Sequence, residues 1–358
     1  MYIRSWFHEI EIMLIKKVRI PILHLLLLGL LPGFLKKLVY RIKGYSIGKN
    51  VGLSIGCVVI GKDVVLADNC KIGFFTIIRG RSIRIDRFAK IGSLTVIDTE
   101  RIEIGEDARI NEQVYVGGMK TPKSALIVGK RAIIMQLTYI NPTLPVEIGD
   151  DTGIGGHCLL FTHGSWSSKL EGYPVTFAPI KLGNKVWLPW RVFVLPGVNI
   201  GDGSVIGANS LVASDIPSNS LAAGTPAKIL KTNFPTRPDV QSQRDFVDQI
   251  LKEFIDYLGY FDYTCSVEQN AAGFTARLSG EKSGTLVYRH GPFTETPPAG
   301  DSALVLFRAN AEEVKKYSAQ GYSTVVSLGD NLRRGTGSTG EEVIAFFSRY
   351  GIRFARLD

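Results

Sequence analysis

The sequence predicts a mainly β fold, a coil of stacked triangular turns, with an N-terminal amphipathic helical segment and a small C-terminal α/β domain. Three observations predict it. First, branched apolar residues recur at every sixth position from Leu182 through Leu188, Val194, Ile200 and Ile206 to Val212, and Gly183, Gly201, Gly207 or Ala213 follows several of them. A helix repeats at 3.6 residues and a half-buried strand at 2, so a step of six fits neither. It fits a chain that turns a corner every six residues and points one aliphatic side chain inward each time, with three edges to a turn. Second, the phase recurs upstream in the sets Ile47-Leu53-Val59, Ile60-Leu66-Ile72, Ile85-Ile91-Ile97, Ile104-Ile110-Val116, Val128-Ile134-Ile140 and Ile148-Ile154-Leu160. A β-sandwich would instead alternate with period two. Third, both ends of the chain lack the hexad.

Residues 1–44 form the first segment. Ile3, Trp6, Phe7, Ile10, Met13, Leu14 and Val18 follow helical spacing, and an apolar run from Ile20 to Leu35 comes next. That run is shorter than a spanning helix needs, and Pro32-Gly33 interrupts it. Lys16, Lys17, Arg19, Lys36, Lys37, Arg41 and Lys43 flank it. The expectation is a segment that lies on an anionic membrane surface through residues 1–43, or else makes an oligomer contact or caps the first turn of the coil. The coil itself occupies 45–231. Residues 232–239, with Pro235 and Pro238, read as a linker.

Residues 240–358 read as a small α/β domain. Phe246, Ile250, Phe254 and Leu258 suggest one helix face over 240–258. Strands are expected at Thr285–Arg289, Ala303–Phe307, Ser323–Leu328 and Ile352–Ala355, and helices at Ala311–Gln320 and Glu341–Tyr350. Between strand and helix lies Arg334-Gly335-Thr336-Gly337-Ser338-Thr339-Gly340, either an ordinary loop or a backbone cradle for phosphate. It is neither a Walker loop nor a complete dinucleotide fingerprint.

The coil carries a more specific pattern. Ile148-Gly149-Asp150-Asp151 and Thr162-His163 come first, then a loop, then Leu182-Gly183-Asn184-Lys185-Val186-Trp187. Leu195-Pro196-Gly197-Val198, Ile200-Gly201-Asp202-Gly203 and Ala223-Gly224-Thr225-Pro226-Ala227-Lys228 follow in order. Over roughly 45–231 the chain resembles the hexapeptide-repeat acyltransferases, in particular the O-acetyltransferase branch that modifies sugars and polysaccharides. The resemblance implies a left-handed parallel β-helix, acetyl-CoA as co-substrate without a metal, and a homotrimer with sites lined by two chains.

Acyl transfer to a hydroxyl needs a base for the hydroxyl proton and a holder for the tetrahedral oxyanion. Histidine is the natural base near neutral pH. The five histidines are His8, His24, His157, His163 and His290, and His157 and His163 lie one hexad apart in the repeats. His163 precedes an insertion from Gly164 to Ala178, and projecting loops gather function. The resemblance assigns the base to it. His157 is expected on a lateral face of the coil or toward the acceptor. Asn141 is the residue nearest the polar partner the family places one turn earlier, and Ser165 and Trp166 are placed beside the acceptor. Asp150, Asp151, Glu147 and Glu171 are the nearest carboxylates, and none is tied to His163 by the sequence. Direct transfer is therefore preferred to an acyl-Ser165 intermediate.

The resemblance further implies a donor groove near Trp187, Trp190, Gly207, Ala208, Ser214, Thr225, Pro226, Lys228 and Lys231, with the lysines toward phosphates. Two departures from the family pattern stand out. Trp187-Leu188-Pro189-Trp190 puts bulk where a small residue is usual, and Ala213-Ser214 replaces a Thr-Lys pair.

The expected function is acetyl transfer from acetyl-CoA to a hydroxyl of a surface-glycan or lipid-linked saccharide, on the cytoplasmic face of a membrane. The alternatives are N-acetylation of an amino sugar and a non-enzymatic β-helix scaffold. The net charge of +9 comes without a basic stripe interleaved with aromatics, so nucleic acid is not an expected partner. Cys57, Cys70, Cys158 and Cys265 form no CxxC pair and read as reduced thiols.

Overall fold

The structure, a computed structural model, describes residues 21–357 except 165, 166, 282, 292 and 295. The apolar face read over Ile3–Val18 lies outside them, as do Ser165 and Trp166. The chain divides into two compact units that meet at Thr236 and Arg237.

In the first unit the hexads become three parallel sheets, each holding one strand from every turn. The first face runs from Ser46–Ile47 to Asn199–Ile200, the second from Gly52–Leu53 to Val205–Ile206, and the third from Val58–Ile60 to Leu211–Val212. A mainly β prism of parallel sheets fits the left-handed β-helix expected above. The inward column on the second face, Ile72, Ile91, Ile110, Ile134, Ile154, Leu188 and Ile206, is buried throughout. Each such side chain contributes about 1.5–3 kcal/mol.

The turn needs a sharp corner, and the chain makes it with left-handed backbone. Asn50, Asn69, Phe88, Asp107, Arg131, Asp151 and Lys185 have positive φ on the first edge, and Phe75, Leu94, Gln113, Leu137, His157, Arg191 and Asn209 on the second. Several of these are bulky, at a cost of about 1–2 kcal/mol each. The buried column outweighs it.

The first two edges each take one hexad per turn. The third does not. It takes seven residues from Val59 to Leu66, from Ile78 to Ile85 and from Ile97 to Ile104. It then takes 12 from Val116 to Val128, eight from Ile140 to Ile148, 22 from Leu160 to Leu182 and six from Val194 to Ile200. This corrects one set of the sequence reading. Ile60, Leu66 and Ile72 do not share a turn: the extra residue at the third edge shifts the phase, so Leu66, Ile72 and Ile78 do. Ile60 is half-buried on the outside, whereas Ile78 is fully buried.

The first turn is covered by the chain that precedes it. Helical turns at 22–29 lead into a helix at Gly33–Ile42. Gly33 passes so close to the first turn that a Cβ there would lie 2.7 Å from the Leu53 carbonyl oxygen. Tyr40 is fully buried, and its hydroxyl accepts from the Val59 N–H at 2.9 Å. Lys36 is fully buried too, and its Nζ donates to the Ser54 carbonyl at 2.5 Å and meets Cys57 Sγ at 3.7 Å. Burial pushes the Lys36 ammonium below its usual range and the Cys57 thiol above. Among the described residues, no helix is long and apolar enough to cross a membrane. At the other end Ser220–Gly224 joins the second face in parallel, then pairs antiparallel with Ala227–Thr232. Phe234 still donates to the Asn219 carbonyl, so the chain leaves the β-helix later than Lys231.

The second unit is a seven-stranded mixed sheet whose spatial order equals its sequence order. Helices Val240–Gly259 and Ser338–Ser348 pack on one face, with Phe254 against Phe346, and Ala311–Ala319 packs on the other. Val247, Ile250, Leu251, Phe254 and Leu258 form the buried stripe of the first helix, while Phe246 is exposed. The hairpin Thr264–Asn270 and Gly273–Ser279 was not anticipated from the sequence. Its signal was the alternation Phe274, Ala276, Leu278, all buried.

The glycine-rich stretch 334–340 does lie between a strand and a helix. Its helix N-terminus already holds an anion of the chain's own. Asp301 accepts from the Thr339 N–H at 2.7 Å, Ser338 Oγ at 2.7 Å and Thr339 Oγ1 at 2.8 Å. Burial raises this carboxyl, but those bonds and one from Ser323 outweigh it and hold it below the usual range. A phosphate has no place there, and the segment is structural.

Candidate active site

The long insertions of the β-helix all project from the third edge, and His163 stands at the largest of them. Thr162 ends the sixth turn, fully buried. Its hydroxyl donates to the Asn141 carbonyl at 2.8 Å and accepts from the Leu144 N–H at 3.0 Å. The next residues leave the prism as a short antiparallel pair, His163–Gly164 with Thr176–Phe177. The His163 ring stacks on Phe177, with centroids 5.6 Å apart and planes at 16°.

One residue from the previous turn reaches the imidazole, and a second holds that residue. Thr143 Oγ1 lies 3.4 Å from His163 Nδ1 and donates to Asn141 Oδ1 at 2.9 Å. A hydroxyl has one proton to give. With that proton on Asn141, Thr143 is placed to accept from the ring, an arrangement that suits the tautomer with its hydrogen on Nδ1 and a free lone pair on Nε2. Burial holds His163 below the ordinary imidazole value, which keeps it neutral near pH 7. Asn141 thus touches Thr143 and not the ring, and Thr143 is a residue the sequence did not single out. Thr143 is itself fixed from behind, its carbonyl accepting from Ser124 Oγ at 2.9 Å and Thr121 Oγ1 at 3.1 Å. Gly118 is needed beside them, because a Cβ there would collide with Asn141 Oδ1.

The carboxylates near His163 in sequence are engaged elsewhere. Asp151 pairs with Arg131 through two bonds of 2.7 Å, and Asp150 accepts from the Lys130 N–H at 2.7 Å, both on the first edge. Glu147 points outward from the first face, and Glu171 sits in an exposed turn of the projecting loop. Further down the third edge, Asp98 pairs with Arg79 and with Lys120 at 2.8 Å. Burial raises the Asp98 carboxyl, yet bonds from Arg79 and Lys120 outweigh it and leave it low.

His157 is not on a lateral face. It occupies the left-handed corner of the second edge, exposed, with its ring 5.6 Å from Trp190. The corner excludes it from the face because its φ turns the chain there. Some of the expected donor residues lie at or near this second edge. Trp190 leans over Gly156 of the preceding turn, and its carbonyl accepts from the Asn209 N–H at 3.1 Å. Gly207 lies against Ala223, Ala208 is exposed beside it, and Thr225 Oγ1 donates to the Asn209 carbonyl at 3.2 Å. Pro226 follows through a cis peptide bond, and Lys228 and Lys231 are exposed on the closing strand. Trp187 points outward from the second face over Gly153, half-exposed, and Ser214 is exposed after the last strand of the third face. One chain therefore places His163 on the third edge and Trp190, Gly207 and Ala208 on the second.

No family model matches the chain. It is 42% identical over 89 residues to galactoside O-acetyltransferase of Escherichia coli, covering 24% of this chain and 43% of that protein. It is 30% identical over 128 residues to WcaF of E. coli, provisionally named a colanic acid biosynthesis acetyltransferase, covering 30% of this chain and 70% of that one. It spans 35% of the length of the Staphylococcus aureus relatives it also matches. Among solved structures, the hexapeptide-repeat acetyltransferase VCA0836 of Vibrio cholerae with acetyl-CoA is 26% identical, with a TM-score of 0.33 over 37% of this chain and 72% of that one. The hexads, the Thr162-His163 corner and the match along most of WcaF agree, and the chain belongs to the hexapeptide-repeat acetyltransferases.

Proposed function

We propose that the chain transfers an acetyl group from acetyl-CoA to a hydroxyl of a saccharide, with His163 as general base. The observation that carries this reading is the row Asn141–Thr143–His163 at the broken corner, which suits a free lone pair on Nε2. The saccharide oxygen attacks the thioester carbonyl carbon while its proton passes to Nε2. The tetrahedral intermediate collapses, the C–S bond breaks, and the imidazolium returns the proton to the departing thiolate. The products are an acetyl ester and coenzyme A. The names of galactoside O-acetyltransferase and WcaF support a saccharide acceptor.

The site is completed by a second copy, in a cyclic trimer. Two features support this. His163 and the donor candidates Trp190, Gly207 and Ala208 sit on the two edges that bound the third face, so a neighbour's second edge would bring its Trp190 and Ala208 to this chain's His163. Between those edges runs an outward row of half-buried rings, Tyr115, Tyr139, Phe161 and Phe193, with centroids 5.0, 4.9 and 5.4 Å apart in succession. Exposed Leu94 and Leu137 extend it along the second edge. An apolar band of this kind suits chain-to-chain packing.

The test is acetyl transfer from labelled acetyl-CoA to a galactoside and to an acidic polysaccharide. His163→Ala should lower the rate by roughly 10²–10⁴-fold with melting unchanged. A wild-type rate in that variant would overturn the reading.

A further inference from the structure

The helical cap has two sides of opposite character. Toward the first turn it presents Gly29, Gly33, Lys36 and Tyr40, all packed or bonded as described. Away from it, Phe34, Leu38 and Ile42 follow one another at i, i+4 and i+8 with 68%, 54% and 77% of their surface exposed. Ile22, Leu26 and Leu30 repeat the spacing on the preceding turns, each about as exposed. Six large aliphatic or aromatic side chains thus form the outer end of the prism, an area that soluble chains rarely leave in water. Charge tells what covers it. From Ile12 to Lys62 the chain holds nine lysines and arginines and no aspartate or glutamate. Lys37, Arg41 and Lys43 lie on or just after the exposed helix, interleaved with its apolar stripe. Lys37 is half-buried, and Arg41, whose guanidinium donates to the Ile47 carbonyl at 3.3 Å, and Lys43 are exposed. An apolar face flanked by cations, in a stretch without carboxylates, complements an anionic bilayer, where side chains enter the acyl boundary and cations meet headgroups.

We propose that the outer face of the cap, residues 22–43, docks on an anionic lipid membrane and holds the β-helix end-on above it. The geometry then bears on the acceptor, in a step that rests on the reading of His163 as the base. The cap covers the first turn and His163 closes the sixth, five strand spacings on. At about 4.8 Å each, the base stands ~24 Å beyond the first turn. The hydroxyl it serves belongs to a saccharide carried on a lipid, several sugars out from the anchor.

The test is flotation of the full chain with vesicles of phosphatidylcholine alone or with phosphatidylglycerol, at low and high salt. The wild-type chain should float with the anionic vesicles only, and salt should weaken it. The variant Phe34→Asp/Leu38→Asp/Ile42→Asp should lose at least tenfold in partitioning. The variant Lys37→Gln/Arg41→Gln/Lys43→Gln should lose on the order of 10²-fold. Both should keep the wild-type melting temperature and wild-type transfer to a soluble saccharide, while transfer to a lipid-linked saccharide in vesicles falls through KM. Equal flotation of wild type and variants, or no flotation of the wild type, would overturn the docking surface. So would an apolar-to-Asp variant that changes the oligomeric state instead, since a second copy would then be the occupant. Flotation does not involve His163, so it stands or falls apart from the catalytic reading.

Discussion

Along the first two edges of the prism the turn costs the same number of residues at every level, whereas along the third it runs from six, at Val194 to Ile200, to 22, at Leu160 to Leu182. The difference follows from what each edge must do. On the regular edges a left-handed residue such as Arg131 or Arg191 aims the chain back onto the stack, and the next strand must land in register with its neighbour. A parallel sheet that slips by one residue turns its whole inward column outward. On the third edge the chain can leave and return, because loop closure becomes only slowly more costly with length. His163, Thr143, Asn141 and Gly118 all belong to that edge or approach it. The residues proposed for the chemistry gather where chain length is free.

This contrast can be broken or sharpened by experiment. Two glycines inserted between Lys130 and Arg131, on the first edge, should abolish the folded β-helix, read as loss of cooperative melting. Ile134→Ala removes a fully buried link of the second-face column and should cost about 2–5 kcal/mol in denaturant unfolding. Thr143→Val keeps the packing but removes the acceptor for His163 Nδ1–H. It should lower kcat/KM about tenfold with melting unchanged, and Thr143→Ser should restore it. In the wild type, the neutral imidazole is the active form and burial lowers its pKa, so the acid limb of kcat/KM should lie below pH ~6.5. Activity is then full at neutral pH and lost as pH falls through that limb; a limb above it would contradict the buried setting. The smallest effect is expected from two glycines between Gly172 and Tyr173, in the projecting loop, at less than about 1 kcal/mol.

How far these features could be read from the chain depends on how local their causes are. The inward column was legible because every hexad repeats the same demand, and the one misplaced turn, Ile60 for Ile78, came from a single extra residue at the third edge. The place of His163 on a projecting corner was legible because the repeat visibly breaks after Thr162, while its role was assigned by the family resemblance alone. Thr143 was not, since its role arises only when two turns stack and Asn141 takes its proton. The segment from Arg334 to Gly340 looked like an anion cradle because its filler, Asp301, lies 38 residues before Thr339 in sequence. The corner position of His157 depends on φ, which no spacing of residue types announces.

The cap at Gly33–Ile42 has a consequence beyond its outer face. A stack of equivalent turns contains no instruction to stop, and the strands of its first turn would offer unpaired backbone to any similar turn that met them. The polymer that would result is a filament, with the last turn of one molecule seated beneath the first of the next. Lys36 and Tyr40, plugged into the end of the prism, and the reversed strand at Ala227–Thr232 close the two ends, and so make a discrete molecule out of a geometry that could otherwise grow without limit.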